Sequence, residues 1–167
     1  MQDGRKMREE KIIITQLIPK PLWGENPRTA FGKSGWDRIR KQVYKDAGYR
    51  CEVCGGRGHH HPVEAHELYI FEPGLVTCVG IIALCPMCHK ACHPARTCSV
   101  DGETEYLKVR KHMATVNNWT EQQVQKYWER CLDEWRCLSS IPDWKTDWSY
   151  VEEIYQTNLL IGGRNDS

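Results

Sequence analysis

The stretch Ala83-Leu-Cys-Pro-Met-Cys-His-Lys-Ala-Cys-His93 decides the fold, together with Cys51-Glu-Val-Cys54 upstream of it. Each stretch holds two cysteines separated by two residues, so both thiolates of a pair can reach one tetrahedral ion. The two pairs supply four soft ligands, the set that a structural zinc prefers: Cys51, Cys54, Cys85 and Cys88. The spacing therefore predicts a Zn²⁺ ion that clamps the 30 residues between the pairs.

Three histidines lie close to these cysteines in the sequence. His89 and His93 are four residues apart, so on a helix that starts near Pro86 they share one face and can hold a second metal ion. His66 lies midway between the cysteine pairs, in the apolar-flanked stretch Val63-Glu-Ala-His-Glu-Leu-Tyr-Ile70. Together they indicate a candidate metal-dependent active site.

Hydrophobic periodicity assigns secondary structure around these ligands. Apolar residues recur at helical spacing from Ser34 to Gly48, which predicts a helix that leads into Cys51. Strands are predicted near 63–70 and 76–83, joined in a hairpin across Glu72-Pro-Gly74. With the helix near Pro86, the expected fold class is α+β.

The same patterns divide the chain into parts. We expect an extended N-terminal arm at 1–33, a zinc finger domain with its entry helix at 34–100, a C-terminal helical extension packed on it at 101–160, and a disordered tail at 161–167. Within the extension, Thr120 begins a Thr-x-x-Gln capping box, which predicts the start of a helix.

Composition limits the cellular environment. No apolar run approaches the roughly 20 residues that a membrane span needs, and the first residues are polar and mixed in charge, unlike a secretory signal. Nine cysteines, an odd number, favour a reducing compartment in which thiols bind metals rather than form disulfides. We therefore expect a cytoplasmic protein without membrane contact, and the sequence leaves the oligomeric state open.

Charge is unevenly distributed although the net charge is only +1. Residues 1–63 hold 13 Lys and Arg against 7 Asp and Glu, whereas residues 101–167 hold 8 against 12. A basic front half is compatible with phosphate contacts. The candidate nucleic-acid contacts lie on the predicted entry helix: Arg38, Arg40, Lys41 and Lys45. A solvated charged face explains these four residues equally well.

The order of helix, CxxC, strand with histidine, second strand, CxxCH and helix resembles the HNH endonuclease superfamily, most closely the zinc-knuckle HNH proteins of bacteria and their phages. The resemblance rests on Cys51-Glu-Val-Cys-Gly55, Pro62-Val-Glu-Ala-His-Glu67 and the stretch 83–93, and it covers residues 34–95. It implies a ββα-metal (HNH) finger, here clamped by the four-cysteine zinc site and flanked by an N-terminal helix and C-terminal helices.

The resemblance also implies roles for the histidines. The histidine of the family's first strand is the general base, and His66 matches it. The family draws ligands for a catalytic ion, here Mg²⁺, Mn²⁺ or another divalent ion, from the start of the α element, where His89 and His93 fall. Two positions depart from the family pattern: Ala65 replaces an Asp or His ligand, and Gly80 replaces an Asn.

Two arrangements compensate for the ligand that is missing at Ala65. In the one we prefer, Glu64 lies on the same strand face as His66 and reaches the ion, while His66 is the base with Glu64 or Glu67 assisting. In the other, His66 is a metal ligand and Glu67 is the base. A site that lacks activity is a third outcome of the same departures.

The resemblance implies a metal-dependent endonuclease that hydrolyses DNA phosphodiester bonds. The alternative is a catalytically silent HNH-fold zinc module that binds nucleic acid or a protein partner, for example a phage factor that acts on a host enzyme. Ala65 and Gly80 motivate this alternative.

Overall fold

The computed structural model describes residues 3–162, and the side chains of residues 3–157. This part of the chain is α+β, with seven α-helices and one three-stranded sheet. The helices are α1 Gly4–Glu10, α2 Pro27–Asp46, α3 Pro86–Cys92, α4 Pro94–Arg96, α5 Glu103–Asn117, α6 Glu121–Ser139 and α7 Ser149–Gly162; the strands are β1 Glu64–Glu72, β2 Leu75–Leu84 and β3 Lys145–Asp147. Most of the tail expected at 161–167 lies outside the described residues.

The predicted hairpin is confirmed. β1 pairs antiparallel with β2 from Glu64 opposite Leu84 to Glu72 opposite Leu75, and Gly74 in the turn has the positive φ of +82° that glycine adopts without strain. The register shifts after Leu68, which leaves an extra residue in β2 as a β-bulge. Strand β3, which the sequence analysis missed, pairs parallel with β2.

The hairpin separates two hydrophobic clusters. Side chains alternate between the faces of a strand, so Leu68 of β1 joins the cluster formed with α3, α5 and α6, whereas Tyr69 and Phe71 join the cluster formed with α2 and α7. His66 is on the same face as Leu68, which directs its ring toward α3.

Helix α2 begins at Pro27 and not at the predicted Ser34. The Asn26 side chain accepts a hydrogen bond from the backbone N–H of Thr29 at 3.0 Å and so caps the helix, with Pro27 in the first turn where its missing N–H has no cost. Gly32, with φ +72°, kinks the helix between the two candidate starts. The kink interrupts the helical spacing of the apolar residues, so this spacing did not predict the part of α2 before Gly32.

The prediction of an extended arm over 1–33 is wrong. Residues 4–10 form α1, and the segment that follows runs through the core, with Ile13 to Gln16 all buried. Side chains replace the missing strand partners there: Asn117 bonds the N–H and C=O of Ile13 at 2.7 and 2.8 Å, and Gln16 bonds those of Tyr69 at 3.0 and 2.7 Å. An amide side chain offers both an N–H donor and a C=O acceptor, as a backbone neighbour does.

The C-terminal helices pack on the elements that precede them, α5 on α3 and α7 on β2 and α2. The predicted capping box is confirmed, because Thr120 and Gln123 exchange side chain to backbone hydrogen bonds of 3.1 and 2.7 Å at the start of α6. Helix α5 packs on both α3 and α6. No helix within residues 3–162 is long and apolar enough to cross a bilayer.

Candidate metal centre

The four cysteines predicted to bind zinc converge on one point. Their sulfur atoms all lie within 4.8 Å of one another, and Cys54 Sγ is 3.7 Å from Cys85 Sγ. Four sulfurs that surround a zinc at about 2.3 Å stand about 3.8 Å apart in a tetrahedron. The cluster of Cys51, Cys54, Cys85 and Cys88, hereafter the four-cysteine cluster, therefore has the dimensions of a zinc site.

Backbone and side-chain donors surround these sulfurs. Each CxxC turn aims an N–H at its first sulfur, Cys54 N to Cys51 Sγ and Cys88 N to Cys85 Sγ, both at 3.5 Å. His112 of α5 places Nε2 3.2 Å from Cys88 Sγ. The sequence analysis missed His112, whose only signal would have been its place on a helix packed against α3. Such donors stabilise thiolates.

The thiols cannot all ionise unaided. Hydrogen bonds from Cys85 and Cys88 lower the pKa of Cys51, and the neighbouring Cys51 in turn raises the pKa of Cys85 to about 12. A divalent cation is the group that allows all four sulfurs to be thiolates, since its charge exceeds the other local charges.

The three histidines also converge. His66 of β1, His89 of α3 and His93 at the end of α3 each offer a nitrogen within 4.8 Å of the other two, and their ring centroids are 5.1–5.3 Å apart. We call this group the three-histidine cluster. Three nitrogens bound to one zinc at about 2.0–2.1 Å would stand about 3.3 Å apart, so small side-chain movements bring the three imidazoles to one ion.

His66 carries the strongest sign of a missing partner. Its side chain is buried, and neither Nδ1 nor Nε2 has a hydrogen-bond partner among the described residues. Buried polar atoms are nearly always paired, and leaving one unpaired costs about 1–3 kcal/mol. The donor set thus fits a metal ion that accepts a His66 lone pair.

Glu64 supports the cluster from the next position on the same strand face. His89 Nδ1 donates a hydrogen bond to Glu64 Oε2, which leaves His89 Nε2 for an ion, and His61 Nε2 lies 2.6 Å from Glu64 Oε1. These two histidines, His89 first, lower the pKa of Glu64 to about 2, so it is a carboxylate at neutral pH. A carboxylate behind a ligating imidazole fixes the ring and raises its basicity.

Burial keeps His66 and His93 neutral. It lowers the pKa of His93 to about 3 and holds the pKa of His66 well below its ordinary value, with the neighbouring imidazoles adding to both shifts. Neutral imidazole is the form that binds a metal. The lone pairs of His66 and His93 are therefore available at neutral pH.

A solvent-accessible cleft of about 240 Å³ leads to the cluster. His66, His93 and Glu67 line it, together with Trp23 and Asn26 from the segment before α2. Glu67 is on the opposite face of β1 from His66, but β1 is the edge strand, so both side chains reach the cleft. Burial raises the pKa of Glu67. We call this space the histidine cleft.

The four predicted phosphate contacts differ in their surroundings. Arg38, Lys41 and Lys45 are exposed and share one face of α2 at spacings of three and four residues. Arg40 instead bonds Asp37 at 2.7 Å and lies over the Tyr44 ring. Its charge is largely engaged within the protein.

Comparison with known proteins gives no further guide to the function. No protein-family model matches the chain, and the comparisons with curated proteins and with solved structures found no match. The function is therefore inferred from the two clusters and their surroundings.

Packing accounts for the glycine at position 80, where the resemblance stated above led us to expect an asparagine. Gly80 is buried opposite Leu68, and a Cβ there would lie 3.2 Å from the Leu68 Cδ1 atom. A larger side chain at this position would have to displace Leu68, which belongs to the core. Gly80 therefore serves packing at the bulge.

Proposed function

We propose that the protein is a metal-dependent, HNH-type endonuclease that hydrolyses DNA phosphodiester bonds. The observation that carries the proposal is the buried His66, whose two ring nitrogens have no hydrogen-bond partner among the described residues and which faces His89 and His93 beside an open cleft. The chain order β1, β2, α3 supports it, since a ββα-metal finger needs that order.

The geometry favours the arrangement in which His66 is a ligand and Glu67 is the base. Three mutually close nitrogens suit one shared ion better than two ligands and a separate base. The preferred arrangement of the sequence analysis, with His66 as base and Glu64 as ligand, is less well supported, because the Glu64 carboxylate is engaged by His89 and His61.

Three imidazoles favour a borderline transition metal over Mg²⁺, which prefers oxygen ligands. Three protein ligands with an open fourth position are the pattern of catalytic rather than structural zinc. When bound, such an ion stabilises charge on the scissile phosphate and activates water. Zn²⁺, Ni²⁺ or Co²⁺ are thus better candidates than Mg²⁺ or Mn²⁺.

The residues around the ion have separate tasks. Glu67 lines the histidine cleft, and its raised pKa brings the carboxylate closer to the range in which it can take a proton from an attacking water. Glu64 holds the His89 ring through Nδ1. Arg38, Lys41 and Lys45 on α2 are the candidate contacts to the DNA backbone, so binding weakens as salt rises.

Cleavage of supercoiled plasmid by the zinc-loaded chain tests this function. Zn²⁺, Ni²⁺, Co²⁺, Mn²⁺ and Mg²⁺ are supplied in separate reactions, and His93→Ala is compared with His60→Ala, which removes an exposed histidine outside the cluster. We expect nicking with a transition metal, lost in His93→Ala and retained in His60→Ala. Cleavage that survives His93→Ala contradicts the proposal.

A folded, metal-loaded protein that cuts no DNA with any of these ions would support the alternative of a silent binding module. The four-cysteine cluster would then hold the finger for binding alone. A binding surface does not require three histidines that converge on one point, so the three-histidine cluster favours the nuclease over that alternative.

A further inference from the structure

A second concavity adjoins the histidine cleft. It has a volume of about 390 Å³, within the range of small-molecule sites. Its lining is mainly apolar and aromatic: Ile18, Trp23, His93, Arg96, Leu132 and Trp135. Trp23 and His93 line both this space and the cleft, so the two are continuous at the metal site. We call it the aromatic groove.

Trp23 is unusual in its exposure. Tryptophan side chains are on average largely buried, but the side chain of Trp23 is 66% exposed. The ring is nevertheless held, because its indole N–H donates to the Ile18 carbonyl at 3.0 Å, and Trp135 donates to the same oxygen at 2.9 Å. Two indoles fixed on one carbonyl present a preorganised aromatic surface beside His93.

Cationic groups flank this surface. The Lys20 ammonium lies 5.2 Å from the centroid of the Trp135 ring, and Arg96 is exposed at the rim of the groove. An occupant with a flat apolar face and a negative charge next to it matches this distribution. A nucleotide has both features.

We infer that the aromatic groove binds a nucleobase that has left the base stack, and that the substrate of the three-histidine cluster is single-stranded or locally unpaired DNA. This inference rests on the proposed nuclease function. In a duplex both faces of a base are covered by its neighbours, so an indole can stack only on a base that is unstacked. With few polar groups in the lining, the groove contacts base faces rather than edges and selects little for sequence.

Binding of fluorescein-labelled DNA to the full zinc-loaded chain tests the inference. The probes are an oligothymidine of about 12 nucleotides and a duplex of the same length, both followed by fluorescence anisotropy. Trp23→Ala is expected to weaken single-strand binding about 5- to 150-fold, the loss of one stacked base, and to leave duplex binding unchanged. Trp23→Phe should retain most of the affinity, because it keeps a ring.

Tyr49→Ala is the matched control, since it removes another exposed aromatic side chain that is outside the groove. It is expected to bind both probes as the unmodified chain does. Single-strand affinity that is the same in Trp23→Ala and Tyr49→Ala would overturn the inference. Equal losses for the single strand and the duplex in Trp23→Ala would also overturn it.

Cleavage of the same probes separates this inference from the nuclease proposal. Suppose that cutting depends on His93 but is equally fast on duplex and single strand, and is the same in Trp23→Ala. This result would support the nuclease and contradict the base site. Suppose instead that single-strand binding depends on Trp23 but no DNA is cut with any of the metal ions. This result would support the base site and contradict the nuclease.

Discussion

The four-cysteine cluster and the three-histidine cluster both draw ligands from the short helix α3 and its caps, but they differ in how completely their ligands are satisfied. The sulfurs receive hydrogen bonds from backbone N–H groups and His112. The ring nitrogens of His66 receive none among the described residues, and the His66 side chain lines a cleft. A closed ligand set suits a structural ion and an open one suits a reacting ion.

Helix α3 couples the two clusters. Cys85 caps its start, Cys88 and His89 are consecutive, and His93 caps its end. With only seven residues, α3 has little stability of its own. An ion on the cysteines therefore fixes the helix on which the histidines depend, and precise geometry of a reacting site requires such support.

The largest difference between the clusters should be in stability. Cys85→Ser removes a sulfur ligand, while the serine hydroxyl can still cap α3, and we expect a loss of about 5 kcal/mol, which corresponds to a fall of about 10–20 °C in Tm for a chain of this length. His93→Ala should lower Tm by less than about 4 °C. Calorimetry of both variants checks this, and equal Tm values would show that the clusters do not differ as described.

The next effect concerns His66. His66→Leu should abolish cleavage, a loss of at least about 100-fold, yet stabilise the protein without an ion at the histidines by about 1–3 kcal/mol, because two unpaired buried nitrogens are removed. Urea unfolding after mild chelation measures the second effect. His66→Gln, which keeps a polar group, is the control and should give no such gain. If His66→Leu destabilised the protein as much as His66→Gln does, the conclusion that the His66 nitrogens are unsatisfied would be contradicted.

Variants of Glu64 and Glu67 separate two roles, binding of the ion and proton transfer during cleavage. Glu64→Gln should weaken metal affinity at the histidines about 10- to 100-fold, since the carboxylate behind His89 is lost. Glu67→Gln should leave this affinity unchanged and reduce the rate of cleavage. Competition with a metal-binding dye measures the metal affinity of each variant. If Glu67→Gln weakened metal affinity and Glu64→Gln reduced only the rate of cleavage, Glu67 would not be the base, and His66 would again be the candidate for that role.

The smallest effect is expected at His112. His112→Ala removes one hydrogen bond to Cys88 Sγ, which is worth about 1 kcal/mol at a half-buried site, or about 2–4 °C in Tm. Retention of metal by the cysteines should weaken slightly, while the ion at the histidines is unaffected. If His112→Ala instead lost the ion at the three-histidine cluster, the assignment of His112 to the four-cysteine cluster would be contradicted.

Local patterns allowed much of this structure to be predicted. The CxxC pairs, the hairpin, the start of α3 and the capping box at Thr120 each depend on residues a few positions apart. The same is true of His89 and His93, which one helical turn brings together.

Long-range pairing could not be predicted in this way. Asn117 bonds Ile13 across 104 positions, and His112 reaches Cys88 from another helix. No local pattern signals that an apolar N-terminal segment will be paired by amide side chains from distant parts of the chain. The unpaired state of His66 likewise depends on the whole packing around it.

Metal content during stepwise chelation tests the contrast between the two clusters most directly. Elemental analysis would follow the metal-to-protein ratio of the full chain and of His93→Ala as the chelator concentration rises. Two ions per chain, one lost early and one held until the protein unfolds, with only the second present in His93→Ala, is the expected result. One ion per chain in both proteins would contradict a three-histidine metal site.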